Sequence, residues 1–146
     1  MDTPLTFSAL VLALSGQLVQ EIHDRVSQQG FHDLRPVHGF AFARISSGGA
    51  TTADLAEHLG VTKQAAAQLV AELVGKGYVL RRAHPHDARA RLLELTDDGR
   101  AATRAADQAA REAVAPWREE LGEKRFGELV ADLTRLAPRG PVRPSW

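Results

Sequence analysis

TTADLAEHLGVTKQAAAQLVAELVGKGYV, residues 51–79, carries denser structural instruction than any other stretch of the chain. Thr51 followed by Asp54 at the third helical position is a capping-box pattern, with Asp in place of the longer Glu or Gln. Leu55, Ala56 and Leu59 then give a short apolar face, and Gly60 permits a tight turn. Thr62 caps a second helix in which Ala66, Leu69, Val70 and Leu73 face inward, and Gly75 and Gly77 end it. A short helix, a glycine turn and a longer helix with a polar N-terminal half make the outline of a helix-turn-helix.

Downstream, Tyr78 to Arg82 and Arg91 to Leu95 are each of strand length, separated by a Pro-containing loop, so a β-hairpin follows directly. Thr96 caps another helix, with Asp97 and Asp98 in the first turn where the helix dipole favours acids. Ala102, Ala105, Ala106, Ala109 and Ala113 on that helix let a neighbour approach closely, and Pro116 is expected to kink or end it. A last amphipathic helix carries Phe126, Leu129, Val130, Leu133 and Leu136. The closing APRGPVRPSW has too many prolines to stay helical, and a flexible tail is expected over 137–146.

Upstream, Leu5 to Gln28 reads as a helix, with Leu10, Leu14, Leu18, Ile22 and Val26 recurring every fourth residue. A second helix starts near Pro36 and is expected to bury Val37, Phe40 and Ile45. The fold class predicted is mainly α with a small β-hairpin. The end helices have more apolar face than so small a core needs, and a shared dimer interface would use it.

Composition narrows the function. At 146 residues, with 44% hydrophobic and 25% charged, the chain has one domain's worth of core and is no disordered polyelectrolyte. There are 18 basic and 18 acidic residues, so only a local surplus of charge can point to nucleic acid. Cysteine is absent, which closes disulfide, thiolate-metal and thiol-redox chemistry. The opening MDTPLTF has no basic region, and Ser15, Gly16 and Gln17 interrupt the apolar run from Leu10 to Leu14. Neither a signal peptide nor a spanning helix is expected, and a cytoplasmic location is the default.

The local surplus exists. Lys76, Arg81, Arg82, Arg89 and Arg91 stand against Asp87 alone between residues 76 and 91. Thr62, Lys63, Gln64, Ala67, Gln68 and Ala71 lie opposite the apolar face of their helix. Gln64 and Gln68 are one turn apart and Gln pairs bidentately with adenine, while Lys63 near the helix start suits guanine or phosphate. The alanine methyls suit close approach to a groove floor. The bland alternative, a solvated polar face on a core helix, weakens beside a basic hairpin.

The words DLAEHLGVTKQAAAQLVAELVGKGYVLR and HPHDARARLLELTDDGR resemble the winged helix-turn-helix of the multiple antibiotic resistance regulator (MarR) family. The second shows a P-x-D-x-R loop, an alternating strand and an LT-x-x-G helix start; the match runs over roughly residues 34–100. The resemblance implies a homodimer that binds double-stranded DNA, with the recognition helix in the major groove and the hairpin as a wing across the minor groove. Most relatives are repressors released by small aromatic or anionic ligands. The division implied is an N-terminal dimerisation helix over 1–33, a DNA-binding lobe over 34–96 and C-terminal dimerisation helices over 97–136.

On that reading the wing contacts are Arg81, Arg82, His86, Asp87, Arg89 and Arg91, with Arg89 at the tip suited to a narrow minor groove. Asp87 would repel phosphate, and the family's Asp-x-Arg pair implies that it holds the arginine or the loop in shape. Ala88 replaces a common Gly or Arg, and His84 stands where Asp is frequent. Arg35, His38 and Phe42 are the candidate ligand pocket, the first two for an anion and the third for an aromatic ring, although Phe42 serves equally as core.

Rival chemistries are weaker. His23, His32 and His38, with Glu21, Asp24 and Asp33 nearby, raise a zinc-responsive alternative, but no H-E-x-x-H is present and His84-Pro85-His86 lacks a third ligand. No metal or other cofactor is therefore assigned. There is no G-x-S-x-G elbow or phosphate-binding glycine loop, so an enzyme is not expected. A winged helix turned protein-interaction module would have lost the basic groups that this chain keeps.

Overall fold

The structure, a computed structural model, describes residues 3–137; the expected tail beyond Ala137 lies outside them. Six helices and one hairpin follow in the order α1 (Pro4–Gln28), α2 (Pro36–Ser46), α3 (Thr52–Leu59), α4 (Lys63–Gly75), β1 (Val79–Ala83), β2 (Arg91–Leu95), α5 (Asp97–Leu121) and α6 (Glu123–Leu136). The chain divides into two compact units, residues 34–104 and residues 3–33 with 105–137. They are called the lobe and the arms below.

In the lobe, Phe42, Leu55, Leu59, Leu73, Leu93 and Val70 are all but fully buried. Each such aliphatic or aromatic side chain contributes about 1.5–3 kcal/mol by leaving water. The Phe42 and Tyr78 rings tilt against each other at 5.8 Å between centroids. The antiparallel hairpin pairs Val79 with Leu95 and Arg81 with Leu93, and Leu93 N–H also donates to Ala50 carbonyl at 2.7 Å. That bond fixes the hairpin to the segment before α3. At the far end, Thr96 Oγ1 accepts the Gly99 N–H at 3.1 Å and donates to the Gly77 carbonyl at 2.6 Å. A Cβ on Gly99 would stand 2.2 Å from the Tyr78 carbonyl oxygen, so only glycine allows the helix to start there.

Helix α2 corrects the sequence expectation. It buries His38, Ala41, Phe42 and Ile45, whereas Val37 and Phe40 are only half-buried. Apolar residues on every side of this helix left its phase open, and a histidine with an internal partner took an inward position.

The arms pack on small residues. Ala105, Ala109 and Ala113 are buried at successive turns of α5, and α1 contributes Val26. Arg25 Nη1 donates to Glu112 Oε2 at 2.8 Å across the two helices. Pro116 does not end α5: the helix runs through it to Leu121 and breaks at Gly122, whose φ of +79° is a left-handed-side value that favours glycine. Leu5, Phe7, Leu10, Val11, Leu12 and Leu14 of α1 are exposed, as are Leu129, Val130, Leu133 and Leu136 of α6. Against expectation, α1 is long and apolar enough to cross a membrane by length and composition, its most apolar 18-residue window having a mean hydropathy of 1.4.

Candidate nucleic-acid interface

The recognition element is built from caps inward. Thr51 Oγ1 accepts the Asp54 N–H at 3.1 Å while Asp54 Oδ2 accepts the Thr51 N–H at 2.9 Å, so the box closes with the shorter acid. This bond to Thr51 is the main reason the Asp54 carboxyl is held below its ordinary value, with partial burial opposing it. Gly60 turns the chain with φ +65° and ψ +34°, and the Val61 N–H donates to the Ala56 carbonyl at 3.0 Å. Thr62 Oγ1 then accepts the Ala65 N–H at 3.0 Å and starts α4.

Helix α4 is two-faced along the line expected. Ala66, Leu69, Val70 and Leu73 are buried; Thr62, Lys63, Gln64, Ala67, Gln68 and Ala71 are exposed. The exposed set offers two amides one turn apart, flanked by methyls and preceded by a cation at the positive end of the helix.

The wing keeps less free charge than its residues suggest. Arg82 pairs with Glu94 on the neighbouring strand, and Lys76 Nζ lies 3.1 Å from Glu72. Both acids fall outside residues 76–91, so a count along the chain misses them. Arg81, Arg89 and Arg91 are exposed and make no ion pair among the described residues. Asp87 shapes the loop rather than the guanidinium: its Oδ1 accepts the Arg89 N–H at 2.9 Å, and its carbonyl accepts the Ala90 N–H at 3.2 Å. His84 Nδ1 accepts the His86 N–H at 3.1 Å, and the two rings meet nearly edge-on at 6.3 Å. The tip is thus held by local bonds despite Ala88, and His86 is exposed beside it.

The three residues expected to line a ligand pocket differ in exposure. Phe42 is 2% exposed against Tyr78, and His38 is fully buried; Arg35 alone is exposed. Arg35 and His38 converge on Glu72, which sequence reasoning did not single out. Arg35 Nη2 donates to Glu72 Oε2 at 2.6 Å. His38 Nε2 faces Glu72 Oε1 at 3.5 Å without forming a hydrogen bond, and Nδ1 of the same ring accepts the Arg35 backbone N–H at 2.8 Å. Partial burial opposes charge on Glu72, but the hydrogen bonds from Arg35 and Lys76 and the field of His38 and Arg35 carry its carboxyl down to about 2. Burial lowers the His38 pKa, and the attraction of Glu72 only partly opposes it. The available sequence signal was the stripe Gln64, Gln68, Glu72, which puts an acid on the line of the two amides.

Among the described residues no three His, Cys, Asp or Glu side chains gather as a metal site. His32 instead meets Ser27, Nδ1 to Oγ at 3.2 Å, and His23 is half-buried on α1.

Residues 32–90 match the sequence model of the MarR family. The fold is similar to RV1404 of Mycobacterium tuberculosis, at 25% identity over 93% of each chain and a TM-score of 0.72. It is also similar to a cysteine-to-serine mutant of Escherichia coli MarR complexed with operator DNA. There the identity is 21% over 91% of this chain and 94% of that one, with a TM-score of 0.74. A point mutant of Staphylococcus aureus MepR, bound to an oligodeoxyribonucleotide, matches at 22% identity over 89% and 94%, with a TM-score of 0.63. No curated protein matches the chain.

Proposed function

We propose that the chain, whose residues 32–90 match the MarR family model, is a DNA-binding transcriptional regulator of that family that acts as a homodimeric, ligand-responsive repressor. The observation that carries the DNA-binding reading is the exposed face of α4, with Gln64 and Gln68 one turn apart, in one lobe with a wing whose Arg81, Arg89 and Arg91 are unpaired among the described residues. The operator complex of the E. coli relative supports it.

Thr62, Lys63, Gln64, Ala67, Gln68 and Ala71 meet the major groove, with the two glutamines and Lys63 reading bases and the alanines allowing close approach. Arg81, Arg89 and Arg91 meet the backbone and minor groove, with His86 beside them; Asp87 keeps the tip in shape and Arg82 braces the strands through Glu94. The exposed apolar faces of α1 and α6 support a homodimer, which places two recognition helices on half-sites about one helical turn, roughly 10 bp, apart. An effector that releases DNA binds the DNA-incompetent arrangement better, by linkage. Catalysis has no part in this reading.

The test is fluorescence anisotropy of the purified protein on duplex DNA from upstream of its own gene, over a salt series and against a scrambled duplex. Preference for the upstream duplex, with affinity falling steeply as salt rises, is the expected result. A folded protein that binds neither duplex at low salt overturns the reading.

A further inference from the structure

Glu72 has no role among the proposed DNA contacts, yet it is the most heavily contacted acid in the lobe. It follows Gln64 and Gln68 at four-residue steps, so it lies on the line of the base-reading amides. A carboxylate free on that line would repel phosphate. It is not free: Arg35, His38 and Lys76 converge on it at 2.6, 3.5 and 3.1 Å. Arg35 and His38 belong to the start of α2, and the His38 Nδ1 bond to the Arg35 N–H fixes them to each other. Lys76 closes the end of α4 itself.

Most of what holds α4 is apolar and comes from α3 and β1. Contacts of Leu69, Val70 and Leu73 resist separation but are non-directional, so they tolerate a small roll or slide of the helix. A short charge-assisted bond is directional. The Glu72 clamp is the polar tie between α4 and α2.

We propose that Glu72 is a positioning residue: by tying the recognition helix to the start of α2 through Arg35 and His38, it fixes the roll at which Gln64 and Gln68 meet base edges. This rests on the DNA-reading face proposed for α4. Glu72 touches no DNA. Its loss therefore costs discrimination between sequences rather than backbone attraction.

The experiment begins with wild-type full-length protein selecting duplexes from a random-sequence pool. Affinities for the selected and a scrambled duplex are then compared for Glu72→Gln, Arg35→Gln and the double variant. The expected result is a loss of about tenfold or more in the selected-to-scrambled ratio for each single variant. Scrambled-duplex affinity is retained, and the double variant is no worse than either single one, because both break the same tie. Arg35 is exposed, so Arg35→Gln reads the clamp even if Glu72→Gln fails to fold. An unchanged ratio in Arg35→Gln, an equal fall on both duplexes, or additive losses in the double variant overturns the positioning role. Failure of the wild type to select any duplex overturns the DNA-reading proposal itself, and this inference with it.

Discussion

The lobe and the arms meet the same demand, hiding apolar surface, in opposite ways. The lobe buries Phe42, Leu55, Leu59, Leu73 and Leu93 within one chain. The arms bury mainly alanines, while Leu10 stays 58% and Leu133 51% exposed. A core that closes on itself gives a stability independent of concentration. A face left open gains its stabilisation from a second surface, and that part varies with concentration. The two units should therefore respond differently to the same class of substitution.

The largest effect is expected in the lobe. Leu73→Ala leaves a cavity in a fully buried site and should cost about 2–5 kcal/mol. Urea unfolding followed by circular dichroism reads this, and the cost should not change with protein concentration. A cost below about 1 kcal/mol would mean that the lobe repacks around the site and is not the tight core described. The arms should behave otherwise. Leu133→Glu puts a charge on a half-exposed face, and should leave the folded lobe intact while shifting the sedimentation coefficient from that of the proposed dimer to that of a monomer. Burial of the leucine side chain against a partner would contribute about 1.5–3 kcal/mol per copy, and the charge forfeits it. A protein that remains dimeric would remove α6 from the interface.

This contrast also marks what the residues revealed. The lobe's helix-turn-helix was legible because its signals are local: Thr51 with Asp54, Gly60, Thr62 and a four-residue apolar period all act within a turn or two. Signals that act across the fold were not. The partners of Arg82 and Lys76, Glu94 and Glu72, sit on other strands or turns, so five basic residues in sequence became three unpaired ones among the described residues in space. The inward turn of His38 needed the Arg35 N–H and the Glu72 carboxylate, neither of which a hydropathy pattern contains. Pro116, expected to kink or end α5, does not end it. A proline removes one backbone bond, and the helix on either side of it was able to run on.

A smaller pair of effects separates reading from holding within the lobe. Gln68→Ala should relax preference at particular base pairs by about 1–3 kcal/mol while leaving binding to scrambled DNA intact. Arg89→Ala should weaken binding to every duplex and lower the salt slope by about 1, because one phosphate is no longer neutralised. Anisotropy on a panel of single-base variants across a salt series measures both. If Gln68→Ala weakened all sequences alike, or Arg89→Ala left the slope unchanged, the roles of helix and wing would have to be redrawn.

The smallest effect comes from His38, the buried polar residue of the lobe; no arm histidine among the described residues is buried. The groups that face it are Glu72, Arg35 and Lys76. Its Nδ1 accepts the Arg35 N–H, so the ring is neutral with its proton on Nε2, and a second proton would have to displace that bond. Burial lowers its pKa below 6.5, which means the unfolded chain takes up the proton first as the solution is acidified. Lobe stability is therefore full above about pH 6.5 and declines as pH falls through that value, by at most about 1.4 kcal/mol per pH unit for one group. Glu72 adds a separate loss lower down, as pH falls from 4.5 toward about 2 and its carboxylate is protonated. Urea midpoints measured between pH 8 and pH 5.5, roughly one unit either side of free histidine's value, should fall for the wild type and stay flatter for His38→Gln, whose amide can accept the same N–H without titrating. Equal slopes for the two proteins would assign the acid loss to another group, and the lobe would then owe nothing of its pH response to its buried histidine.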